Sequence, residues 1–423
     1  MLTTGGVRAA GLICSLIATW VLARLLDAPE FGRLSLTVVW AWLLGAIATM
    51  GTDQLLLREL SISPGSWPAL RRFVTRRVAY PTALVVAASL PIAAVQLGGL
   101  RMAPALSALA ILTGVIRRQQ SALLAHGRTS IALVGEIVLI PILHVAICAP
   151  ILLLHLGPAS AVVVALSQAT AMVLVVAVQR WAARPIRSDT GAAEEVAQPE
   201  MWHRATRRLA VVGTLAVIQG YIELIILGAL GTSAEVANFV VATRIASLVA
   251  LPMAVATVVI SRDTARSFAG GELRTLQPRL TAASRLAALS AAVVLLAILA
   301  VHRLVLATIG AGFSGATTPL LILLGAQVTN VCIGPVATVL TLTGHERHVR
   351  DAVVIAAITG AAVSAALAPR FGATGAAIGA SASLLCWNVL LRWRVARDLG
   401  VATGPIGAPR GHLGLTPDGR SGS

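Results

Sequence analysis

The stretch RRFVTRRVAYPTALVVAASLPIAAVQLGGLR, residues 71–101, decides the fold. Four arginines, Arg71, Arg72, Arg76 and Arg77, precede an apolar run over 79–98, and Arg101 alone follows it. An apolar run of about 20 residues is long enough to cross a ~30 Å hydrocarbon core as a helix. Crowded arginines at one end and a sparse set at the other orient such a helix, because basic residues collect in cytoplasmic loops. The next run, 103–124, is separated from this one only by Gly98–Met102.

Working outward, the alternation holds along the chain. Spans are expected near 5–25, 35–57, 79–98, 103–124, 131–154, 159–180, 207–230, 236–259, 284–305, 317–341, 351–368 and 374–391. Several contain proline (Pro91, Pro141, Pro252, Pro335), which membrane helices accept when neighbours re-satisfy the freed carbonyls. All 33 basic residues are arginine. With the N-terminus on side one, 27 fall on that side, and five (Arg24, Arg33, Arg101, Arg303, Arg370) on the other. Arg244 is left inside a span. This split predicts an even number of spans, with both termini cytoplasmic. Gly5–Leu25 reads as a retained span, since no plausible cleavage site follows it.

At 57% hydrophobic and 12% charged, the chain has too little polar surface to cover itself in water. The net charge of +16 belongs to topological anchors facing anionic lipid, and no polar segment interleaves basic and aromatic residues as a nucleic-acid site would. The four cysteines, Cys14, Cys148, Cys332 and Cys386, lie in or beside apolar runs with no metal-site spacing and are expected to pack.

Two halves are expected: an N-terminal six-helix lobe (1–181) and a C-terminal six-helix lobe (207–397), joined by a cytoplasmic linker (182–206) and followed by a disordered tail (398–423). Leu156-Gly157-Pro158-Ala159-Ser160-Ala161 before the sixth span is echoed by Phe371-Gly372-Ala373-Thr374-Gly375-Ala376 before the twelfth. Leu26–Gly32 has a weaker echo in Leu230–Asn238. Corresponding spans share an orientation, which implies parallel repeats about an axis along the membrane normal.

Several chemistries are excluded. Without lysine there is neither a Walker A motif nor a Schiff-base site. No Asp-x-Asp pair, Gly-x-Ser-x-Gly elbow or His-Glu-x-x-His motif occurs. The loops on the arginine-poor side are too short for a catalytic domain, so transport is favoured over an enzyme.

Four segments carry a resemblance. Ala23–Leu36 (ARLLDAPEFGRLSL) resembles the turn between the first two helices of bacterial polysaccharide flippases, and Met50–Leu60 (MGTDQLLLREL) the end of their second helix. Ala237–Ile245 (ANFVVATRI) is similar to the start of their eighth helix, and Phe371–Ala377 (FGATGAA) to their last turn. These flippases belong to the multidrug/oligosaccharidyl-lipid/polysaccharide exporter superfamily. The resemblance spans nearly the whole chain. It implies an all-α, V-shaped, two-lobed alternating-access transporter of about twelve helices with pseudo-two-fold symmetry. It further implies a flippase that moves undecaprenyl-diphosphate-linked oligosaccharide from the inner to the outer leaflet during polysaccharide biosynthesis. Its partners would be the glycosyltransferases and polymerase of that pathway, with no bound cofactor. Superfamily relatives include lipid II flippases, usually with two further helices, and cation-coupled drug exporters. The low aromatic content, with only Tyr80 and Tyr221 as tyrosines, departs from a sugar-stacking cavity. A cation-coupled small-molecule exporter is the alternative, and a membrane-embedded glycan polymerase or transferase a more remote one.

Charges inside spans are functional candidates, since each costs from ~2.5 kcal/mol to insert. Arg244, about eight residues into the eighth span, suits a phosphate ligand through its bidentate fork, or else an ion pair with Glu223. Arg117, Arg118, Gln119 and Gln120 interrupt the fourth span; Arg117 and Gln120 share a face at i, i+3. Those two either line a cavity or snorkel. Arg8 and Arg58 are anchors or, in the flippase reading, a gate that attracts the diphosphate. Asp53 in the second span, Glu136 in the fifth, and Gln219 with Glu223 on one face of the seventh are candidates for ion coupling to a proton or sodium gradient, or for charge pairing. His144 is expected to make a satisfied polar contact between helices.

Overall fold

Asp27 shows how this sequence starts a membrane helix. Its backbone is extended (φ −69°, ψ 165°), and its carboxylate accepts the backbone N–H of Glu30 at 2.9 Å. Pro29 follows in the first turn, where a missing N–H costs no helical bond. The computed structural model describes residues 2–154, 160–183, 199–269 and 276–406. Most of the expected linker, the tail beyond 406 and the 156–159 part of the repeat motif lie outside the described residues.

The described chain is helical throughout. The first half contains α1 (Leu2–Leu25), α2 (Ala28–Thr49), α3 (Thr52–Ile62), α4 (Trp67–Gln96), α5 (Ala103–Ala125), α6 (Thr129–Val134), a π-helical turn (Gly135–Leu139), α7 (Ile140–Leu153) and α8 (Ala161–Ala182). The second contains α9 (Pro199–Leu230), α10 (Ser233–Ala246), α11 (Leu251–Ala269), α12 (Gln277–Ile309), α13 (Thr317–Ile333), α14 (Val336–Leu342), α15 (Glu346–Phe371) and α16 (Ala373–Leu399). Short 3₁₀ turns at Leu100–Met102, Ser247–Ala250 and Ala311–Ala316 join some of them. Among the described residues ten helical stretches are long and apolar enough to cross a membrane. The bent helix α9 makes eleven, and the shorter apolar stretch Ala10–Leu25 of α1 brings the set to the twelve read from sequence.

The second span departs from expectation. It does not run unbroken over 35–57 but stops at Thr49, because Met50 (φ 46°) and Gly51 (φ 72°) turn left-handed. A Cβ on Gly51 would stand 2.5 Å from the backbone nitrogen of Ala210, so α9 passes too close for a side chain. Asp53 therefore sits in the first turn of a new helix, α3, and not in the body of a span. The tenth span breaks similarly at Gly334 (φ 88°), ahead of Pro335.

The chain packs as two compact units. These differ from the sequence halves 1–181 and 207–397, which are a separate, proposed division. The larger unit takes residues up to Ala246 together with Ile298–Leu323 and Ala356–Ser383. At its centre α2 packs against α5, α8, α9 and α10. Small residues permit the approach: Gly45 lies against Thr113, and Gly228 against Leu36. Leu55, Leu56, Leu60, Leu70, Val74 and Trp202 form a further buried cluster.

The smaller unit takes Ser247–Ala297, Leu324–Ile355 and the residues from Leu384 onward. Its core joins Leu276, Leu280, Val339, Leu340, Leu391 and Val401. Burial of Val401 corrects part of the expectation of a disordered tail from 398. The Gln277 amide bonds both backbone groups of Ala402, at 2.7 and 2.8 Å, Ser284 donates to the Thr403 carbonyl at 2.6 Å, and Arg285 donates to that of Pro405 at 2.8 Å. A polar segment without apolar periodicity is held here because these side chains satisfy its backbone. On α12, Leu286, Leu289, Val293 and Leu296 are 66–69% exposed, a face that suits lipid and not water.

Candidate functional site

A network of charged and polar side chains lies among the helices of the larger unit. The break at Met50–Gly51 aims Asp53 from the first turn of α3 toward α5. There Arg117 Nε donates to Asp53 Oδ2 at 3.1 Å, with the two side chains 22% and 8% exposed. The anion also sits at a helix N-terminus, where the dipole favours it. One turn along α5, Gln120 hydrogen-bonds Glu136, which Arg117 also reaches electrostatically.

Glu136 occupies the π-helical turn, whose extra residue re-aims a side chain that a regular helix would point elsewhere. The neighbouring Gly135 makes room for Gln179 of α8: a Cβ there would stand 2.8 Å from Gln179 Nε2. The Gln179 side chain is buried with neither amide atom hydrogen-bonded. Tyr221 on α9 lies within electrostatic reach of both Glu136 and Arg244, and its ring packs edge-on against Trp42 at 6.1 Å. The structure thus links five residues of the sequence-derived set in a chain: Asp53 to Arg117, Arg117 and Gln120 to Glu136, and Glu136 through Tyr221 to Arg244. Such an array holds fixed positive charge beside carboxylates that can exchange partners.

The remaining candidates go elsewhere. The Glu223 carboxyl hydrogen-bonds Ser383 and lies against Gly360, where a Cβ would meet its Oε1 at 2.4 Å. Gln219, one turn before it, is half-buried. Arg58 is 59% exposed on α3, with Glu59 at 3.8 Å. Arg8 is on α1, and its side chain lies outside the described residues. Arg118 points to a separate cavity, shared with Gln119, Arg71 and Arg180. His144 makes the expected contact, to the Val164 carbonyl at 3.0 Å.

A second constellation joins helix ends at the arginine-poor side. Glu30 Oε2 accepts the backbone N–H of Ala161 at 2.7 Å, bracing the start of α8, and Glu30 also pairs with Arg33. Glu235 occupies the equivalent place in the second half. It accepts the backbone N–H of Thr232 at 2.7 Å and lies against Gly372 (φ 53°), just before α16. Each glutamate follows a cap residue, Asp27 or Thr232, by three positions, as in a capping box. Here Glu30 also braces the start of the sixth span, and Glu235 packs against the turn that opens the twelfth. Between them the backbones of α2 and α10 nearly touch: a Cβ on Gly32 would stand 1.8 Å from the Ser233 carbonyl oxygen. Arg24 donates to the Thr308 carbonyl at 2.9 Å, and Phe31 meets Phe313 edge-on at 5.9 Å.

Sequence reasoning missed Gln179, Tyr221 and the bracing roles of Glu30 and Glu235. The glutamates carried a readable signal, Asp-x-x-Glu and Thr-x-x-Glu at helix starts. Gln179 and Tyr221 carried none beyond being polar within apolar runs.

No family model matches the chain, and no curated protein does. Solved structures do. A multidrug resistance MATE family transporter of the MOP superfamily, in its inward-facing conformation, is 15% identical with a TM-score of 0.66, over 94% of this chain and 95% of the other. The lipid II flippase MurJ, in an inward closed conformation, is 12% identical with a TM-score of 0.67, over 93% and 87%. An outward-facing MATE structure gives a TM-score of 0.61 at 15% identity, over 94% and 96%. The fold is therefore that of the MATE transporters and MurJ.

Proposed function

We propose that this multi-pass membrane protein is a flippase that moves undecaprenyl-diphosphate-linked oligosaccharide from the inner to the outer leaflet of the bacterial cytoplasmic membrane. The observation that carries the reading is the chain of contacts joining Asp53, Arg117, Gln120, Glu136, Tyr221 and Arg244 among the helices of a fold shared with a lipid II flippase. Guanidinium groups match diphosphate oxygens in a bidentate fork. Arg117 is already paired with Asp53, so an arriving diphosphate competes with that carboxylate. The displaced Asp53, left without its cation, then favours a proton or a sodium ion. Cargo binding and ion uptake are coupled in this way through one exchange of partners. The sugars and the polyprenyl chain make no demand on a binding site of high aromatic content.

The test uses proteoliposomes carrying a lipid-linked oligosaccharide with a fluorescent sugar, quenched from outside. Arg244→Ala and Arg117→Ala proteins that are monodisperse and folded lose translocation by roughly tenfold or more, the loss of about one charge-assisted contact. Wild-type rates in both variants would overturn the assignment.

One observation favours a second reading, a cation-coupled exporter of small molecules: two carboxylates, Asp53 and Glu136, belong to the network, and MATE transporters share the fold. It predicts gradient-driven efflux of a cationic dye that Asp53→Asn abolishes, with no movement of the lipid-linked sugar. In neither reading is a glycosidic bond formed, which separates both from a membrane-embedded polymerase or transferase.

A further inference from the structure

Arg118 lies within electrostatic reach of Asp53 but makes no hydrogen bond to it, and it faces a cavity of about 360 Å³ bounded by α3, α4, α5 and α8 in the larger unit. Arg71 from α4 and Arg180 from the end of α8 line the same space, with Gln119, Trp67 and Val115. Among the described residues no carboxylate lines it, so three guanidinium groups face a common volume without a described acid among its walls. Two buried polar atoms on α5 are left without a hydrogen bond: Arg118 Nη1, a donor, and Gln119 Oε1, an acceptor. A buried unsatisfied group costs about 1–3 kcal/mol, so a small side-chain shift that brings either atom to a ligand in the cavity is favoured.

We propose that this cavity binds the headgroup of an anionic glycerophospholipid, a phosphodiester that carries a hydroxyl. The two orphans set the chemistry. Arg118 needs an acceptor, which a phosphate oxygen supplies, while Arg71 and Arg180 complete the charge. Gln119 needs a donor close to that acceptor, which a headgroup hydroxyl supplies. An ammonium headgroup also donates, but three guanidinium groups repel it. Trp67, Val115 and the neighbouring Leu56 and Val74 give the apolar side that the glycerol and first acyl carbons require. The volume lies near the lower end of ligand pockets, which run about 300–1,000 Å³, and so suits a headgroup and not a whole lipid. Arg72, Arg76 and Arg77 lie beside Arg71 on the first turns of α4, and Trp181 next to Arg180 is 68% exposed. This mix of basic residues and tryptophan belongs at a membrane interface. The site adjoins the Asp53–Arg117 network through Arg118, but the proposal does not depend on what the protein transports.

The test is thermal unfolding of the full chain in neutral detergent with equal mole fractions of phosphatidylglycerol, phosphatidylmethanol, phosphatidylethanolamine or phosphatidylcholine, and separately with soluble glycerol 1-phosphate. Phosphatidylglycerol is expected to raise the melting temperature by several degrees and the two zwitterionic lipids to have little effect. Phosphatidylmethanol, which lacks the hydroxyl, should give a smaller rise. The Arg71→Gln/Arg180→Gln protein changes only exposed side chains and should lose most of the phosphatidylglycerol shift. Gln119→Leu should level the two anionic lipids. Native mass spectrometry of the wild type adds an independent measure: one phosphatidylglycerol retained after delipidation. Equal stabilisation by phosphatidylcholine, an undiminished shift in the double variant, or no retained lipid would overturn the proposal. A full shift from glycerol 1-phosphate alone would also overturn it, by making the source a soluble phosphate.

Discussion

Removing Arg117 tests the centre of the network most directly. The Asp53 carboxylate is 8% exposed, and Arg117 Nε is its hydrogen-bond donor at 3.1 Å. Breaking a buried pair from one side costs about 3–5 kcal/mol, because the surviving charge is uncompensated. Two features reduce that here. Asp53 lies in the first turn of α3, whose dipole returns about 0.3–1 kcal/mol, and Arg118 still acts on it electrostatically. Arg117→Ala is therefore expected to cost about 2–4 kcal/mol. Asp53→Asn frees Arg117, which is 22% exposed and nearer to water, and should cost less, about 1–2 kcal/mol. The Asp53→Asn/Arg117→Ala protein removes both charges and should be nearly as stable as Asp53→Asn alone. Equilibrium unfolding of the four proteins in mixed micelles yields the coupling energy directly. Contacting partners give about 0.5–3 kcal/mol of coupling, and a value above ~1 kcal/mol is expected here. Costs that simply add, within ~0.5 kcal/mol, would refute the pairing and with it the exchange of Asp53 for a diphosphate.

Three more predictions concern other parts of the structure. The Cβ of Ala28 lies 3.1 Å from where a Gly312 Cβ would be, so Ala28→Cys/Gly312→Cys in a background without the four native cysteines should cross-link under mild oxidation. In proteoliposomes the cross-link should stop transport until it is reduced, and no cross-link would contradict the approach of these two segments. Glu30→Ala leaves the Ala161 N–H without its partner and should lower stability by about 1–3 kcal/mol, whereas Glu30→Gln keeps an acceptor and should lose less; equal losses in unfolding would count against the brace. Truncation after Leu399 removes Val401 and the partners of Gln277, Ser284 and Arg285, and should lower the melting temperature by several degrees; an unchanged melt would show that this segment is not held.

The flippase-like motif is better understood once its residues have places. In Ala23–Leu36, Asp27 caps α2, Glu30 braces α8, Gly32 admits the Ser233 carbonyl, and Arg24 holds Thr308. Apart from the Asp27 cap, none of these partners is near in sequence. The same holds for Met50–Leu60, where Gly51 yields to Ala210 and Asp53 meets Arg117. A motif of this kind records tertiary contacts that a single chain segment does not reveal.

The sequence by itself determined the twelve spans, because length and hydropathy belong to each segment alone. It also determined the candidate charges, since an arginine or carboxylate inside an apolar run is visible without knowing its neighbours. Only the tertiary structure decided what those charges meet. Arg117 and Arg118 are adjacent in sequence, yet about 100° apart around a helix, so their side chains leave α5 in different directions. One guanidinium pairs with Asp53, and the other opens onto a cavity with Arg71 and Arg180. The break at Gly51, the π-helical turn at Glu136 and the docking of Val401 likewise depend on backbones and side chains that arrive from far along the chain. Their energies arise only when those parts come together.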